Sequence, residues 1–182
     1  VVCIVGKASA YHVTEALRTS LDEGVAMVAD SIRYLKSHGR TVFFDAEHFF
    51  DGYADDPEFT MRVLLGAAEA GADCLVLCDT NGGSLPGRIE AMVREVVSVV
   101  DCAVGVHLHN DTGCGVANAL AGVAAGATHV QGTINGYGER VGNCDLVPII
   151  ANLTLKWGIE TLPEGHLAEL TPVAHHVAEL VN

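Results

Sequence analysis

The 182-residue sequence is poor in positive charge: Lys and Arg number 10 against 23 Asp and Glu, a formal net charge of −13. That deficit excludes nucleic acid and an anionic membrane surface as main partners, since both are held by basic patches. It leaves room for a small anion seated on a metal or a helix N-terminus. Aromatic residues are few, at 5%. No apolar run reaches the roughly 18 residues of a membrane-spanning helix, and no basic leader marks a signal peptide in the opening VVCIVGK. None of the six cysteines (Cys3, Cys74, Cys78, Cys102, Cys114 and Cys144) belongs to a CxxC pair. Zinc knuckles are thereby excluded, and the apolar neighbourhoods predict reduced, core-packed thiols in a cytoplasmic protein. A nucleophile elbow and a P-loop are also missing, and GYGERVGN spaces its glycines as G-x-G-x-x-x-G, which is not the dinucleotide fingerprint. There is no initiator Met, and Val1 and Val2 read as the middle of a strand, so the chain is expected to be a fragment.

What is present is 49% apolar and carries 20 glycines, a mix that suits helices packed tightly on a buried sheet. Four stretches share one pattern, a helix end followed by an apolar strand: SHGRTVFFDAEH, EAGADCLVLCDT, CAVGVHLHND and AAGATHVQGTING. Glycine after the helix fits a left-handed cap; the third stretch uses Asp101-Cys102 instead. Between them lie helix-patterned segments over 57–71, 86–100 and 115–126, and 14–39 is predicted helical over its second half. Ile89, Val93, Val96 and Val100 form one helical face, and Pro57 sits at a first-turn position. With VVCIVG as a strand, five βα units result, at roughly 25 to 32 residues each, the signature of a parallel sheet. An open doubly wound sheet and part of a (β/α)8 barrel both remain open, since a whole barrel takes about 250 residues. The last stretch, amphipathic at Leu167, Leu170, Ala174, Val177 and Val181, predicts an added helix on which His175 and His176 are solvated.

Each strand runs apolar and then turns polar, at DAEH, DTNG, HLHND and NGYGERVGN. Parallel α/β folds gather chemistry at these carboxyl ends. His107 and His109 alternate around Leu108, so both imidazoles face one side of the strand with Cα atoms roughly 6.5 to 7 Å apart. Two histidines with oxygen ligands suit a divalent metal that activates a carbonyl; two hydrogen-bonded structural histidines are the alternative. Glu47, on the same face as Asp45, is a candidate to orient substrate or take a proton, or else a surface acid. Thr80 can donate to a ligand carboxylate or cap a turn, and Asn143 can offer a carbonyl oxygen to a metal. These residues predict a metal-dependent α/β enzyme acting on a small oxo-acid or similar anion.

HLHND followed by QGTINGYGERVGN resembles the signature of the metal-dependent aldol/Claisen family that contains 2-isopropylmalate, homocitrate and citramalate synthases, with hydroxymethylglutaryl-CoA lyase in the same superfamily. YHVTEAL, FDAEHFFDGY and LVLCDTNGGSLP most resemble its citramalate-forming branch. The resemblance implies a (β/α)8 TIM barrel, of which residues 1–160 cover about strands 4–8, and a helical extension over 161–182. It implies that His107, His109 and Asn143 hold a divalent metal (Mg²⁺, Mn²⁺ or Zn²⁺) and that Glu47 is a catalytic pocket acid. Thr80 and His12, the latter placed on the fourth barrel strand, would bind the oxo-acid. The implied reaction joins acetyl-CoA to pyruvate, giving citramalate and CoA on the way to isoleucine, in a homodimer when complete. A larger 2-oxo acid, a lyase reaction or an inactive fragment are the alternatives. The family's first-strand Asp-Arg-Glu motif has no match here, so the isolated chain is expected to bind metal poorly and to be inactive.

Overall fold

The computed structural model describes residues 1–181. Five strands, β1 (Val2–Lys7), β2 (Val42–Glu47), β3 (Cys74–Asp79), β4 (Ala103–Leu108) and β5 (His129–Gln131), form one sheet in the order β1-β2-β3-β4-β5. Every neighbouring pair is parallel. This order decides between the two architectures. A doubly wound sheet reverses its strand order at a switch point. Sequential parallel neighbours joined by right-handed crossovers set every helix on the same face, which is an arc of a (β/α)8 barrel.

The helices are α1 (Leu21–Ser37), α2 (Phe49–Asp55), α3 (Pro57–Glu69), α4 (Pro86–Val99), α5 (Gly115–Ala124), α6 (Leu146–Trp157) and α7 (Leu170–Val181). α1 begins earlier than the sequence pattern predicted, because Ser20 accepts a hydrogen bond from the Glu23 N–H at 3.1 Å and caps it. The first unit, from Val2 to Val42, is accordingly longer than its successors: a single π-helical turn over His12–Ala16 precedes α1. Pro57 opens α3 beside the Asp56 cap, whose carboxylate accepts from the Phe59 N–H at 3.0 Å. Gly39, Gly71 and Gly126 take positive φ after α1, α3 and α5, as the sequence pattern predicted.

The core lies between sheet and helices. Phe44, Leu75, Leu77, Val106 and Leu108 from the strands meet Ile32, Leu64, Ile89 and Val93 from the helices, all fully buried. All six β3 residues are buried, as expected of the central strand of a parallel sheet. β1 and β5 are the sheet's edges. The six cysteines are unpaired: Cys74, Cys78 and Cys144 are buried as predicted, whereas Cys3 on β1 is exposed. His175 and His176 are exposed on α7 as predicted. α7 buries no residue, and the Asn135 side-chain amide donates to the Ala174 carbonyl at 2.8 Å. Among the described residues no helix is long and apolar enough to cross a membrane.

Candidate active site

Alternation along parallel strands stacks the inward side chains in layers. One layer takes Val5, Asp45, Val76, Gly105 and His129. The next, at the carboxyl ends, takes Lys7, Glu47, Cys78, His107 and Gln131. The apolar strand thus becomes a polar rim within two residues. Val5, Asp45, Glu47, Cys78, Thr80, His107, His109 and Glu139 line a cavity of about 150 Å³ there.

His107 and His109 face this cavity together, their ring centroids 5.4 Å apart. His109 lies just past β4, where the chain is pinned by the His109 N–H to the Asp79 carbonyl (3.3 Å) and by a bridge to Asn143. Burial first, and then His107 and Arg140, hold the His109 imidazole below its usual range. Its neutral form is thereby favoured, and its Nδ1 is buried without a partner. The Nδ1 of His107 is bound to the Gln131 side-chain oxygen at 2.8 Å, and its Nε2 lies 3.4 Å from the Asn143 amide nitrogen.

Asn143 is delivered by the loop over 136–143, whose glycines are sterically required. A Cβ on Gly138 would overlap the Asn143 side-chain oxygen, and one on Gly142 (φ +101°) would overlap the Gly136 carbonyl. Two imidazoles, one with an orphaned nitrogen, and an adjacent amide match part of the ligand set of a divalent ion. Among the described residues, no group of three or more His, Cys, Asp or Glu side chains is arranged to hold one.

Glu47 ends β2 in an ion pair with Lys7, its register partner on β1. Thr80, one residue past β3, accepts the His48 N–H at 2.8 Å through its hydroxyl oxygen. Its carbonyl accepts from Arg140 at 2.7 Å, and Arg140 also clamps Asp111 at 2.8 and 3.0 Å. That clamp depresses the Asp111 carboxyl and ties together the loops after β3, β4 and β5.

His12 is not brought to the cavity wall. The resemblance placed it on a strand, but β1 ends at Lys7 and His12 opens the π-helical turn, stacked on His48 with centroids 3.8 Å apart. Sequence reading also missed Lys7, Gln131, Cys78 and Arg140. Lys7 and Gln131 are polar strand ends like those that were noticed, but only the strand register pairs them with Glu47 and His107.

A family model described as HMGL-like matches residues 1–177. The chain belongs to the HMGL-like family. Among curated relatives of this HMGL-like chain, (R)-citramalate synthase of Streptomyces coelicolor is 56% identical over 100% of the chain and 34% of its own length. (R)-Citramalate synthase of Aquifex aeolicus is 50% identical over 100% of the chain and 35% of its own length. The chain thus spans about a third of these relatives. The crystal structure of Bacillus subtilis HMG-CoA lyase superposes with a TM-score of 0.82 at 21% identity, over 97% of the chain and 62% of the lyase. At that identity the likeness speaks for the fold alone: the HMGL-like chain is part of a larger barrel of this type.

Proposed function

We propose that this chain supplies part of the active face of an acyltransferase that condenses acetyl-CoA with pyruvate to give citramalate and CoA. The observation that carries this reading is the 56% identity, over 100% of the chain, to a protein named (R)-citramalate synthase. The cavity at the strand ends supports it with the chemistry such a reaction needs.

In this reading His107, His109 and Asn143 hold a divalent ion, Mg²⁺, Mn²⁺ or Zn²⁺. When bound, the ion supplies Lewis-acid polarisation of the keto group. Thr80 binds the pyruvate carboxylate: its oxygen already accepts the His48 N–H, which leaves the hydroxyl hydrogen free to donate. His12 contributes through its stacking on His48. Glu47 faces the reacting carbons with Lys7 beside it and handles a proton there. Acetyl-CoA loses a methyl proton, the enolate carbon bonds to the keto carbon, and water then cleaves the thioester to release CoA. Residues 1–160 form barrel, and 161 onward form a helical extension, of which Asn182 lies outside the described residues. The complete protein is read as a cytoplasmic homodimer, a compartment supported by six unpaired cysteines.

The test supplies the complete protein with acetyl-CoA and one oxo-acid at a time. Formation of citramalate from pyruvate, in preference to products of 2-oxoisovalerate or 2-oxoglutarate, is expected. Preference for a larger oxo-acid keeps the condensation and changes the substrate; no condensation with any of them overturns the reading.

A further inference from the structure

We propose that Gln131, anchored by Asp45, is a positioning residue that locks His107 in the tautomer whose Nε2 lone pair faces the cavity. The proposal rests on the reading of His107 as a ligand-bearing residue of that cavity.

The polarity of the chain of hydrogen bonds is set at its buried end. Asp45 is only 7% exposed, and as a carboxylate it can only accept. Two groups converge on its Oδ1: the Cys3 thiol at 3.0 Å and the Gln131 side-chain nitrogen at 2.9 Å. A primary amide has one donating end and one accepting end. With its nitrogen committed to Asp45, Gln131 must turn its oxygen outward, and that oxygen meets His107 Nδ1 at 2.8 Å. An acceptor facing Nδ1 requires the proton on Nδ1. In the neutral ring Nε2 is then left with its lone pair, and the Asn143 amide nitrogen lies 3.4 Å from it as a donor would.

Turning the Gln131 amide over would set its oxygen against the Asp45 carboxylate oxygen and lose that bond, so the Asp45 contact is what fixes which end of the amide faces His107. Asn143 cannot hold the tautomer by itself, since its contact is long. The arrangement follows from register: Gln131 is the β5 neighbour of His107, and Asp45 lies one layer below on β2. Histidine ligands commonly fix their orientation by donating the second N–H to an acceptor, and loss of such a partner weakens metal binding about 10- to 100-fold. Here the carboxylate acts through an interposed amide.

The test uses the complete protein, metal-free and labelled with ¹⁵N-histidine, with His107→Gln to assign the ring. Wild type is expected to show a protonated Nδ1 and a lone-pair Nε2 at His107. Gln131→Met, which keeps the side chain's length, is expected to populate both tautomers and to weaken Mn²⁺ binding about 10- to 100-fold. Asp45→Asn is expected to do the same with Gln131 intact. The double variant is expected to lose no more than either single change, because both cut one relay. Protonated Nε2 in wild type, an unchanged tautomer in Gln131→Met, or additive losses in the double variant would overturn the proposal. The ring signals are read without substrate or metal. A protein with the expected signals that fails to condense pyruvate therefore keeps the relay and loses the assigned reaction.

Discussion

Replacing glycine by alanine at three positions separates two costs that meet in the loop carrying Asn143. Gly83 has no positive φ and open space around the position of a Cβ, so Gly83→Ala is expected to be neutral within about 0.5 kcal/mol. Gly39 has equally open space but a φ of +68°, so Gly39→Ala isolates the backbone cost, about 1–2 kcal/mol. Gly142 has both problems: a φ of +101° and a methyl driven into the Gly136 carbonyl. That carbonyl accepts the Asn143 N–H at 3.0 Å, and the Gly142 carbonyl accepts the Asn110 N–H at 3.0 Å, so the loop cannot shift without breaking a bond at the site. Overpacking adds about 1–3 kcal/mol, giving about 2–5 kcal/mol in all. Urea unfolding of the three variants measures the series directly, and Mn²⁺ affinity reads the displacement of Asn143. If Gly142→Ala cost no more than Gly39→Ala, the claim that this loop is sterically fixed around Asn143 would be refuted.

Phe44→Ala, at a residue with no exposed surface, should cost about 3–5 kcal/mol in the same unfolding assay; a loss below 1 kcal/mol would show that the sheet–helix layer collapses to fill the space. The Asp73 carboxyl is held below its ordinary range, first by the Lys36 hydrogen bond and then by the Val42 N–H. Its contribution to stability is therefore fully present above the ordinary carboxylate range and is lost as pH falls through that range toward the depressed folded value. Acid unfolding of Asp73→Asn should accordingly show a shallower fall on the acid side than wild type, and equal slopes would contradict the assignment. The isolated 182-residue chain, in which the described residues bring together two imidazoles and an amide but no third strong ligand, should bind Mn²⁺ far more weakly than the complete protein by calorimetry; equal affinity would mean that the described residues suffice.

The fold was legible where one local signal settled the matter. Gly39, Gly71 and Gly126 mark helix ends, and short apolar runs between helix-patterned segments, such as CLVLCD, fit strands buried on both faces. The βα pattern alone did not decide between barrel and open sheet, because strand order is a tertiary fact that either topology writes with the same pattern; the resemblance carried by HLHND and QGTINGYGERVGN did decide it, and the sequential strand order bears it out. In the site, His107 and His109 announced themselves by alternation within one strand. Gln131 did not, because its role comes from a neighbour 24 residues away and a carboxylate 86 residues away. His12 was placed on a strand by the family resemblance alone, since the apolar run VVCIVG ends well before it. The strand in fact stops at Lys7 and the chain turns before His12, which then meets His48 rather than the cavity.

The most direct test of the account measures CoA release from acetyl-CoA and pyruvate by the complete protein, with and without added divalent metal, in wild type and in His107→Ala, His109→Ala and Glu47→Gln. The account predicts metal-dependent release by wild type, a loss of at least about 100-fold in each variant with folding retained, and Mn²⁺ binding impaired in the two histidine variants but not in Glu47→Gln. Release at wild-type rate by the His107 or His109 variant would contradict it, because the cavity at the strand ends would then not be where the condensation takes place.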